Sequence, residues 1–377
     1  MMSTFIDLHI LQTLPPSNVN RDDSGSPKTC VYGGVRRARV SSQAWKRATR
    51  VAFSQRLDTA ELGERTVFAV ERIAKRITDL RPDLADEAEQ LAAAVLKKAG
   101  VKSEKNKPKD ENETPRTVTG YLLFISRGQI DALARLAVDN SEHIAKTPAK
   151  DAKAAMTGIA SIDLALFGRM VADAPDLNMD AACQVAHALS VHSTAQEFDY
   201  FTAVDDNAPE DNAGATMIGT VEFSAPTLYR YATINADELA NNLGSVDAAA
   251  RAVEAFVDAF ITSMPTGKQN TFANRTLPDF VLVQVRDDQP VNLAEAFEDS
   301  IEDTRGRTTA ATKALAQYAA ELEEAYTSRP VASAFLAAGG AAKPEALEAL
   351  KDMGERVNLA GLVELAGSQV RERVEAQ

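Results

Sequence analysis

The hydrophobic pattern at the start of the chain is that of a β-strand. Residues alternate between apolar and polar from Phe5 to Gln12. The apolar positions Ile6, Leu8 and Ile10 then predict a strand with one buried face. A segment rich in Gly, Ser and Asp follows through Gly34, and this composition predicts a loop.

A helical pattern begins after this loop. Either Ser41 or Ser42 can cap the start of a helix. Its predicted apolar side consists of Ala44, Ala48, Val51 and Ala52. Its predicted polar side carries Lys46, Arg47, Arg50 and Ser54. Residues three and four positions apart share one side of a helix, so these cations form a stripe beside a helix start whose free amides also favour anions.

Helical and strand patterns both recur along the rest of the chain. The predicted helices are Glu64–Leu80, Val246–Thr262, Thr309–Tyr326 and Pro344–Met353. The predicted strands are Ile162–Phe167, Cys183–Val191, Phe280–Val285 and a candidate pair formed by Val221–Phe223 and Tyr229–Ile234. Residues 101–115 are polar and show no periodicity, which predicts a loop. This order of elements belongs to the α+β class, with sheet strands that are not consecutive in the chain.

Charge is distributed unevenly along the chain. The formal net charge is -13, yet the segment from Ser24 to Leu57 has no acidic residue. Its eight basic residues are Lys28, Arg36, Arg37, Arg39, Lys46, Arg47, Arg50 and Arg56. A protein that is acidic elsewhere repels nucleic acid on average, but a local cationic strip can hold a phosphate backbone. The segment therefore predicts a binding site.

Composition narrows the class of protein. With 377 residues and 45% hydrophobic residues, the chain has enough material for one large or two ordinary domains. Cys30 and Cys183 are too few for a zinc ribbon or a disulfide framework, which favours a reducing compartment. No apolar run approaches the roughly 20 residues of a membrane-spanning helix. We therefore expect a cytoplasmic protein without membrane contact.

Catalytic motifs are not evident in the sequence. The four histidines show no metal-ligand spacing, and no Ser or Cys lies in a nucleophile motif. The densest carboxylate group comprises Glu197, Asp199, Asp205, Asp206, Glu210 and Asp211. It could hold a divalent cation, although Asn, Ala, Pro and Gly between its members favour a solvated loop. We expect no enzyme activity, no metal and no cofactor.

Three shorter features leave alternatives open. Gly33-Gly34 could cradle a phosphate, but it completes no phosphate-binding motif. The segment 264–271, with Gly267, Lys268 and Gln269, could contact a nucleic-acid backbone or simply connect a helix to a strand. Tyr200-Phe201 lie in the acidic segment, where two rings either fold back onto the core or pack against an external partner such as bases.

The N-terminal residues also resemble a known family. The segment from Asn20 to Arg50 is similar to the N-terminal signature of the CasC family, the backbone subunit of the type I-E CRISPR Cascade complex. Further similar motifs follow in order along the chain: Gly168-Arg169-Met170, residues 200–206, residues 229–235 and Gly267-Lys268-Gln269.

This resemblance implies a hand-like fold. A ferredoxin-like palm, of the RNA-recognition-motif type, would carry an inserted helical finger and a β-hairpin thumb. The implied palm segments are 1–57, 181–193 and 225–377, the last with C-terminal helices. The implied finger is 58–180, and the implied thumb is 194–224.

The resemblance also implies a set of site residues. The implied RNA-binding residues in and around the acid-free segment are Asn20, Arg21, Lys28, Arg36, Ser41, Ser42, Gln43, Lys46, Arg47 and Arg50. Those farther along the chain are Arg169, Met170, Tyr200, Phe201, Val204, Lys268 and Gln269. Met170 corresponds to an apolar wedge beside a displaced base. Lys146, Lys150 and Lys153 are implied contacts to target DNA.

The implied function is that of a non-enzymatic crRNA-binding backbone subunit in antiviral defence. Six copies would polymerise head to tail along the guide, present it to target DNA, and assemble with CasA, CasB, CasD and CasE. The alternative is a backbone subunit with metal-dependent RNase activity, for which Asp22, Asp23 or the carboxylates of 197–211 are the candidates. A third hypothesis is a free-standing RNA chaperone.

Overall fold

The chain divides into two compact units. A computed structural model describes residues 3–107, 114–158, 160–171, 173–203 and 217–375. The first unit comprises Met1–Ala52, Gln184–Ala236 and Val253–Val374. The second unit comprises Phe53–Cys183, Asp237–Ala252 and Glu375–Gln377.

Strands and helices are both numerous in the described residues. The strands are β1 Phe5–Thr13, β2 Thr29–Tyr32, β3 Val35–Val40, β4 Gly63–Thr66, β5 Ser103–Lys105, β6 Thr117–Thr119, β7 Leu123–Ser126, β8 Cys183–Val185, β9 Ala188–Ser190, β10 Glu197–Ala203, β11 Met217–Phe223, β12 Thr227–Asn235, β13 Phe280–Arg286, β14 Ala332–Ala337 and β15 Glu355–Arg356. The helices are α1 Ser42–Phe53, α2 Ala69–Leu80, α3 Ala88–Ala99, α4 Arg127–Asp139, α5 Ala149–Thr157, α6 Ile162–Phe167, α7 Ala236–Leu243, α8 Val246–Thr262, α9 Gln269–Phe272, α10 Arg307–Tyr326, α11 Pro344–Ala349 and α12 Leu359–Arg373. Short 3-10 helices lie at Thr59–Glu61, Pro82–Leu84, Ser141–Lys146, Pro175–Leu177, Leu293–Phe297 and Gly339–Ala342.

A mixed sheet forms the centre of the first unit. Its strand order is β15-β14-β13-β1-β12-β9-β3-β2, and β8 pairs with β12 beside this path. Strand β1 pairs antiparallel with both β12 and β13, whereas β14 and β15 run parallel. The neighbours β13 and β1, β1 and β12, and β9 and β3 are therefore far apart in sequence, and the predicted α+β class is confirmed.

Helices cover both faces of this sheet. Leu11 of β1 and Phe280 of β13 share a core cluster with Leu315 of α10. On the opposite face, the guanidinium of Arg230 lies 3.8 Å from the ring centroid of Trp45 in α1 and 4.5 Å from that of Phe260 in α8. The sheet thus forms a rigid support from which the loops and the hairpin described below extend.

The prediction that β1 has only one buried face is wrong, because its polar residues are buried as well. Asp7 accepts hydrogen bonds of 2.9 Å from the Tyr231 hydroxyl and from the Val291 amide. His9 Nδ1 lies 2.9 Å from the Tyr229 hydroxyl. The polar residues of this strand therefore belong to a buried hydrogen-bond network. Buried polar groups normally have such partners.

The second unit packs helices α2, α3, α4 and α5 around an apolar cluster that includes Ile73, Leu91 and Leu133. The helix predicted at Glu64–Leu80 begins only at Ala69, because Gly63–Thr66 forms β4 and pairs with β7. The loop predicted at residues 101–115 contains β5, which pairs with β6. Both short strands are stabilised by pairing with a strand elsewhere in the chain, and local periodicity does not reveal such partners.

The strand predicted at Ile162–Phe167 is wrong. This segment is helix α6, and all six of its residues are buried. A helix that is buried all round has no polar face, so its short apolar sequence cannot be distinguished from a strand by periodicity. The pairing predicted between Val221–Phe223 and Tyr229–Ile234 is also wrong, because β11 pairs with β10 and β12 pairs with β1 and β9.

Other predicted elements agree with the structure. The helix Val246–Thr262 has the predicted bounds, and Phe280–Val285 extends by one residue as β13. The helix predicted at Thr309–Tyr326 begins at Arg307, and the one predicted at Pro344–Met353 ends at Ala349. None of the helices in the described ranges is both long and apolar enough to span a membrane.

Candidate nucleic-acid interface

Helix α1 turns its bulky side chains toward the core. Trp45, Thr49 and Phe53 are buried, at intervals of four residues. The predicted apolar side was misplaced, because Val51 is exposed and the alanines are only partly covered. Large rings bury more apolar area than alanine methyl groups, and they therefore decide which side of the helix packs.

The cations of α1 lie outside this buried side. Arg47 and Gln43 are exposed, and Lys46 and Arg50 are half-buried at the edges of the packed side. Before the helix, the Ser41 hydroxyl accepts a hydrogen bond of 3.3 Å from the Ala44 amide, which is the predicted capping interaction. The helix thus presents basic side chains beside its amino-terminal turn.

The loop that contains Arg21 is fixed to the start of this helix. Asn20 Oδ1 accepts a hydrogen bond of 2.8 Å from the Ser41 amide. The Asn20 carbonyl accepts another of 2.9 Å from the Lys28 amide. Arg21 is exposed and forms a backbone bridge with Pro27. Asn20 therefore holds Arg21 and Lys28 close to the amino-terminal end of α1.

The segment with Lys268 lies against the same loop. A Cβ on Gly267 would lie 2.3 Å from the Val19 carbonyl oxygen, so only glycine permits this approach. Lys268 itself has a left-handed backbone with φ of 49°. Such a conformation is uncommon outside glycine and must be held by its surroundings. Lys268 and Gln269 are therefore brought to the loop of Arg21, at the start of α9.

Not every cation of the acid-free segment belongs to this surface. Arg37 is fully buried and donates hydrogen bonds to the carbonyls of Tyr32, Ser190, Phe297 and Glu298. Burial lowers the pKa of its guanidinium. The neighbouring Arg36 is exposed, and it lies 3.4 Å from the Gln196 side-chain oxygen. The interpretation of the segment as one continuous cationic strip is thus corrected at Arg37.

Gly33-Gly34 forms the turn of a hairpin. The φ angles of the two glycines are 57° and 75°, and they connect β2 to β3. Two positive φ angles are what a tight two-residue hairpin turn requires. The segment predicted as a loop through Gly34 therefore contains strand β2. The two glycines are needed for the hairpin turn, so their presence does not require a phosphate site.

Strands β10 and β11 form a second hairpin, where Tyr200 and Phe201 point to opposite faces. The Phe201 ring covers Gly219, where an added Cβ would lie 2.5 Å from the ring. The other face exposes Phe198 by 66%, Tyr200 by 64% and Ile218 by 59%. Sequence reasoning missed Phe198 and Ile218, although the period-two rule of strands could have found Phe198 from Tyr200.

The base of this hairpin contacts the other site segments. The rings of Phe223 and Phe272 lie 5.8 Å apart, which packs β11 against α9. Gln196 Nε2 donates a hydrogen bond of 3.3 Å to the Pro27 carbonyl. Val204 lies outside the described residues, as do the carboxylates Asp205, Asp206, Glu210 and Asp211. Glu197 and Asp199 belong to β10, so at least this part of the acidic segment is a strand.

In the second unit, Arg169 and Met170 differ sharply in exposure. Met170 is 84% exposed, whereas Arg169 is 5% exposed. The Arg169 guanidinium donates to the carbonyls of Leu177, Phe124 and Met156. Burial lowers the pKa of Arg169 to about 10. Direct RNA contact by Arg169 is contradicted by this burial, and we assign it the role of fixing the segment that presents Met170.

The predicted DNA-contacting lysines lie near α5 of the same unit. Lys146 ends a 3-10 helix and is exposed, and Lys150 is exposed in the first turn of α5. Lys153 forms an ion pair with Asp176. An exposed ion pair of this kind contributes little free energy, so Lys153 can exchange Asp176 for another anion.

The candidate metal-binding carboxylates can be examined only where the structure describes them. Among the described residues, no group of three or more His, Cys, Asp or Glu side chains is placed to hold a metal ion. Asp22 Oδ1 instead accepts hydrogen bonds from the amides of Ser24 and Ser26, at 2.9 and 3.0 Å. Hydrogen bonding, first of all from the Ser24 hydroxyl, lowers the pKa of Asp22.

Comparison with known proteins identifies the family. The sequence model of the CT1975-like proteins matches residues 6–364. The chain belongs to this family. No curated protein shows significant similarity to it.

Two solved structures resemble the CT1975-like chain along nearly its whole length. One is described as "CRISPR RNA-guided surveillance complex, pre-nicking"; it is 38% identical with a TM-score of 0.84 and covers 97% of this chain and 99% of that one. Another, a "CRISPR RNA-guided surveillance complex", is 33% identical with a TM-score of 0.73, and the same shares are covered. These matches confirm the resemblance to CasC.

Proposed function

We propose that the chain is the crRNA-binding backbone subunit of a type I-E CRISPR Cascade complex. The observation that carries this proposal is the connected surface formed by the loop of Arg21 and Lys28, helix α1 and the Lys268 segment. It joins three parts of the chain into one cationic surface on an otherwise acidic protein. The similarity to subunits of surveillance complexes supports the identity of the assembly.

This surface is suited to the backbone of RNA and not to its sequence. Lysine and arginine side chains with backbone amides bind phosphates irrespective of the attached base. A guide RNA of any sequence must be held in such a complex, so a grip on phosphate and sugar is the required chemistry. Arg21, Arg47 and Lys268 are its best-placed members, because they extend from three different segments.

The hairpin supplies the second contact. Tyr200, Phe198 and Ile218 form an exposed apolar face, on which a base displaced from the stack can pack. Met170, in the second unit, is proposed as the apolar wedge beside a displaced base. Tyr200 keeps a ring at the position where the family more often has Trp, with somewhat less stacking area.

The remaining assignments of the hand-like fold follow from the same proposal. The palm, of the RNA-recognition-motif type, comprises 1–57, 181–193 and 225–377, the finger is 58–180, and the thumb is 194–224 with the β10–β11 hairpin. Six copies polymerise along the guide and present it to target DNA, which Lys146, Lys150 and Lys153 contact. CasA, CasB, CasD and CasE are the proposed further partners.

We further propose that this subunit is not an enzyme. The Asp22 carboxylate already accepts hydrogen bonds that hold its own turn, which supports a structural role. The competing proposal of a metal-dependent RNase requires a carboxylate that binds Mg²⁺ beside the guide. Incubation of the assembled complex with complementary RNA and Mg²⁺ separates the two. We expect intact RNA, and regularly spaced cuts that disappear in Asp22→Ala would contradict us.

The assembly itself is tested by native mass measurement of the complex purified with its RNA. The proposal predicts one RNA of defined length, several copies of this chain and additional subunits. A monomer without RNA of fixed length would instead support the chaperone hypothesis.

A further inference from the structure

Asn18 lies at the point where the site segments of the first unit meet. Its side chain is 1% exposed, so it has no direct access to a nucleic acid. Its Nδ2 group donates one hydrogen bond of 3.0 Å to the Gly25 carbonyl and another of 3.0 Å to the Glu222 carbonyl. Both protons of one amide group are thus used to join two segments that are nearly 200 residues apart.

The two acceptors lie in different parts of the site, one in the loop proposed to contact phosphates and one in the hairpin proposed to contact a base. Gly25 lies in the turn between Arg21 and Lys28, and its amide lies 3.3 Å from the Asp22 carbonyl. Glu222 lies in β11 directly opposite Phe198 of β10. One acceptor is therefore in the loop of Arg21 and Lys28, and the other is in the hairpin that exposes the apolar face.

The backbone around Asn18 strengthens this junction. Ser17 and Ser224 exchange two backbone hydrogen bonds, of 2.9 and 3.0 Å. On the other side, an added Cβ on Gly267 would lie 2.8 Å from the Asn18 carbonyl oxygen. The segments that carry Arg21, Phe198 and Lys268 thus all contact residues 17–19.

We propose that Asn18 is a positioning residue that couples the base-contacting hairpin to the phosphate-contacting loop. It fixes the separation between the apolar face around Phe198 and the cations of the loop, so that one nucleotide strand meets both at once. This inference rests on the proposed function. Asn18 does not touch RNA itself and acts through the backbone positions of Gly25 and Glu222.

The informative substitution is Asn18→Leu. Leucine has the same branching pattern as asparagine but larger terminal groups, so the buried site stays filled and the neighbouring carbonyls must shift slightly to accommodate the methyl groups. It lacks both donors, and the carbonyls of Gly25 and Glu222 lose their shared partner. We expect the fold to persist while the loop and the hairpin become independent of one another. Asn18→Ala removes the same donors without filling the space, and it provides a second variant.

The chain offers a matched control in Asn242. Its Nδ2 group also joins two carbonyls, those of Ala165 and Asp180, at 3.3 and 3.1 Å. Both acceptors lie in the second unit, apart from the residues of the proposed loop and hairpin. Asn242 is only half-buried, but Asn242→Leu removes the same kind of two-carbonyl bridge and leaves the proposed loop and hairpin unchanged.

The experiment compares binding of mixed-sequence single-stranded RNA by the full chain and its variants across a series of salt concentrations. Asn18→Leu is expected to weaken binding about tenfold and to reduce the slope of log affinity against log salt by ~0.7, the change for one lost phosphate contact on a single strand. Amide exchange of residues 197–203 and 217–223 should become several-fold faster. Asn242→Leu should change none of these three quantities.

Each result has a defined meaning. If both Asn18 variants bind RNA with the affinity and salt slope of Asn242→Leu, the coupling role is overturned. A fall in melting temperature with an unchanged salt slope also overturns it, because a merely structural residue would behave that way. Arg47→Glu provides the separate check on the proposed function. If that variant binds RNA normally, the cationic surface is not the RNA site, whatever Asn18 does.

Discussion

The acid-free segment Ser24–Leu57 and the segment Met170–Tyr229 have opposite charge patterns. The former has eight Lys or Arg and no Asp or Glu, whereas the latter has ten Asp or Glu and no Lys or Arg. The former supplies α1 and part of the loop before it, and the latter supplies the β10–β11 hairpin. A surface that holds a polyanion benefits from cations without competing carboxylates. A hairpin without Lys or Arg is poorly suited to hold phosphates, whereas its exposed rings suit uncharged bases.

The strongest test of this comparison separates two neighbouring arginines. Arg37→Ala removes a buried guanidinium that donates to four carbonyls, so it should destabilise the first unit by about 3–5 kcal/mol. Arg36→Ala removes an exposed side chain and should cost less than about 0.5 kcal/mol. Denaturant unfolding of both variants measures this difference. Equal losses would mean that burial does not distinguish these two arginines.

Charge reversal on α1 should have the next largest effect. Arg47→Glu replaces an exposed cation by an anion, and we expect RNA affinity to fall about tenfold to a hundredfold for any RNA sequence. The salt dependence should become flatter because fewer counterions are released. Lys46→Glu and Arg50→Glu should behave in the same direction. Lys97→Glu on α3 is the matched control, and a loss of similar size there would indicate only a long-range effect of charge.

The two rings of the hairpin should respond differently to truncation. Tyr200→Ala removes an exposed ring and should weaken RNA binding by about 1–2 kcal/mol with an unchanged salt slope. Phe201→Ala uncovers Gly219 and should mainly loosen the hairpin, which faster amide exchange of β10 and β11 would report. If the salt slope fell with Tyr200→Ala, the hairpin would be a phosphate contact and the contrast between the two regions would fail.

A smaller effect concerns the sheet that carries both regions. Burial lowers the pKa of His9 to about 3, below its ordinary value of 6.5. The unfolded chain therefore binds a proton that the folded chain excludes, and His9 makes stability fall as pH drops from 6.5 toward 3. The loss should be about 1 kcal/mol between pH 6.5 and 5.5. His9→Gln should flatten this part of the profile in chemical denaturation, whereas an unchanged profile would exclude His9 as its source.

Local features of the fold could be predicted from the sequence. The cap at Ser41, the helix at Val246–Thr262 and the strand β13 follow from propensity and periodicity. The packed side of α1 could not be located in this way, because one Trp outweighs several alanines. The helix α6 was missed for a related reason, since a fully buried helix has no polar side.

In the candidate site, too, some features could be predicted from the sequence and others depend on the fold. The acid-free segment reveals its cations directly, but it does not distinguish buried Arg37 from exposed Arg36. That distinction depends on carbonyls at Ser190 and Phe297, which are far away in sequence. The bridge from Asn18 to Glu222 has the same long-range character. Such contacts leave no periodic trace in the chain, and only the folded structure reveals them.

The location of the guide is tested most directly by ultraviolet crosslinking of the purified complex, followed by mapping of the crosslinked peptides. We expect the bases to crosslink to Phe198 and Tyr200, and we expect RNA that carries a photoreactive group on a phosphate to crosslink instead to residues 20–28, 42–50 and 266–270. Crosslinks confined to the second unit, or to α10 and α12 of the first unit, would contradict this expectation.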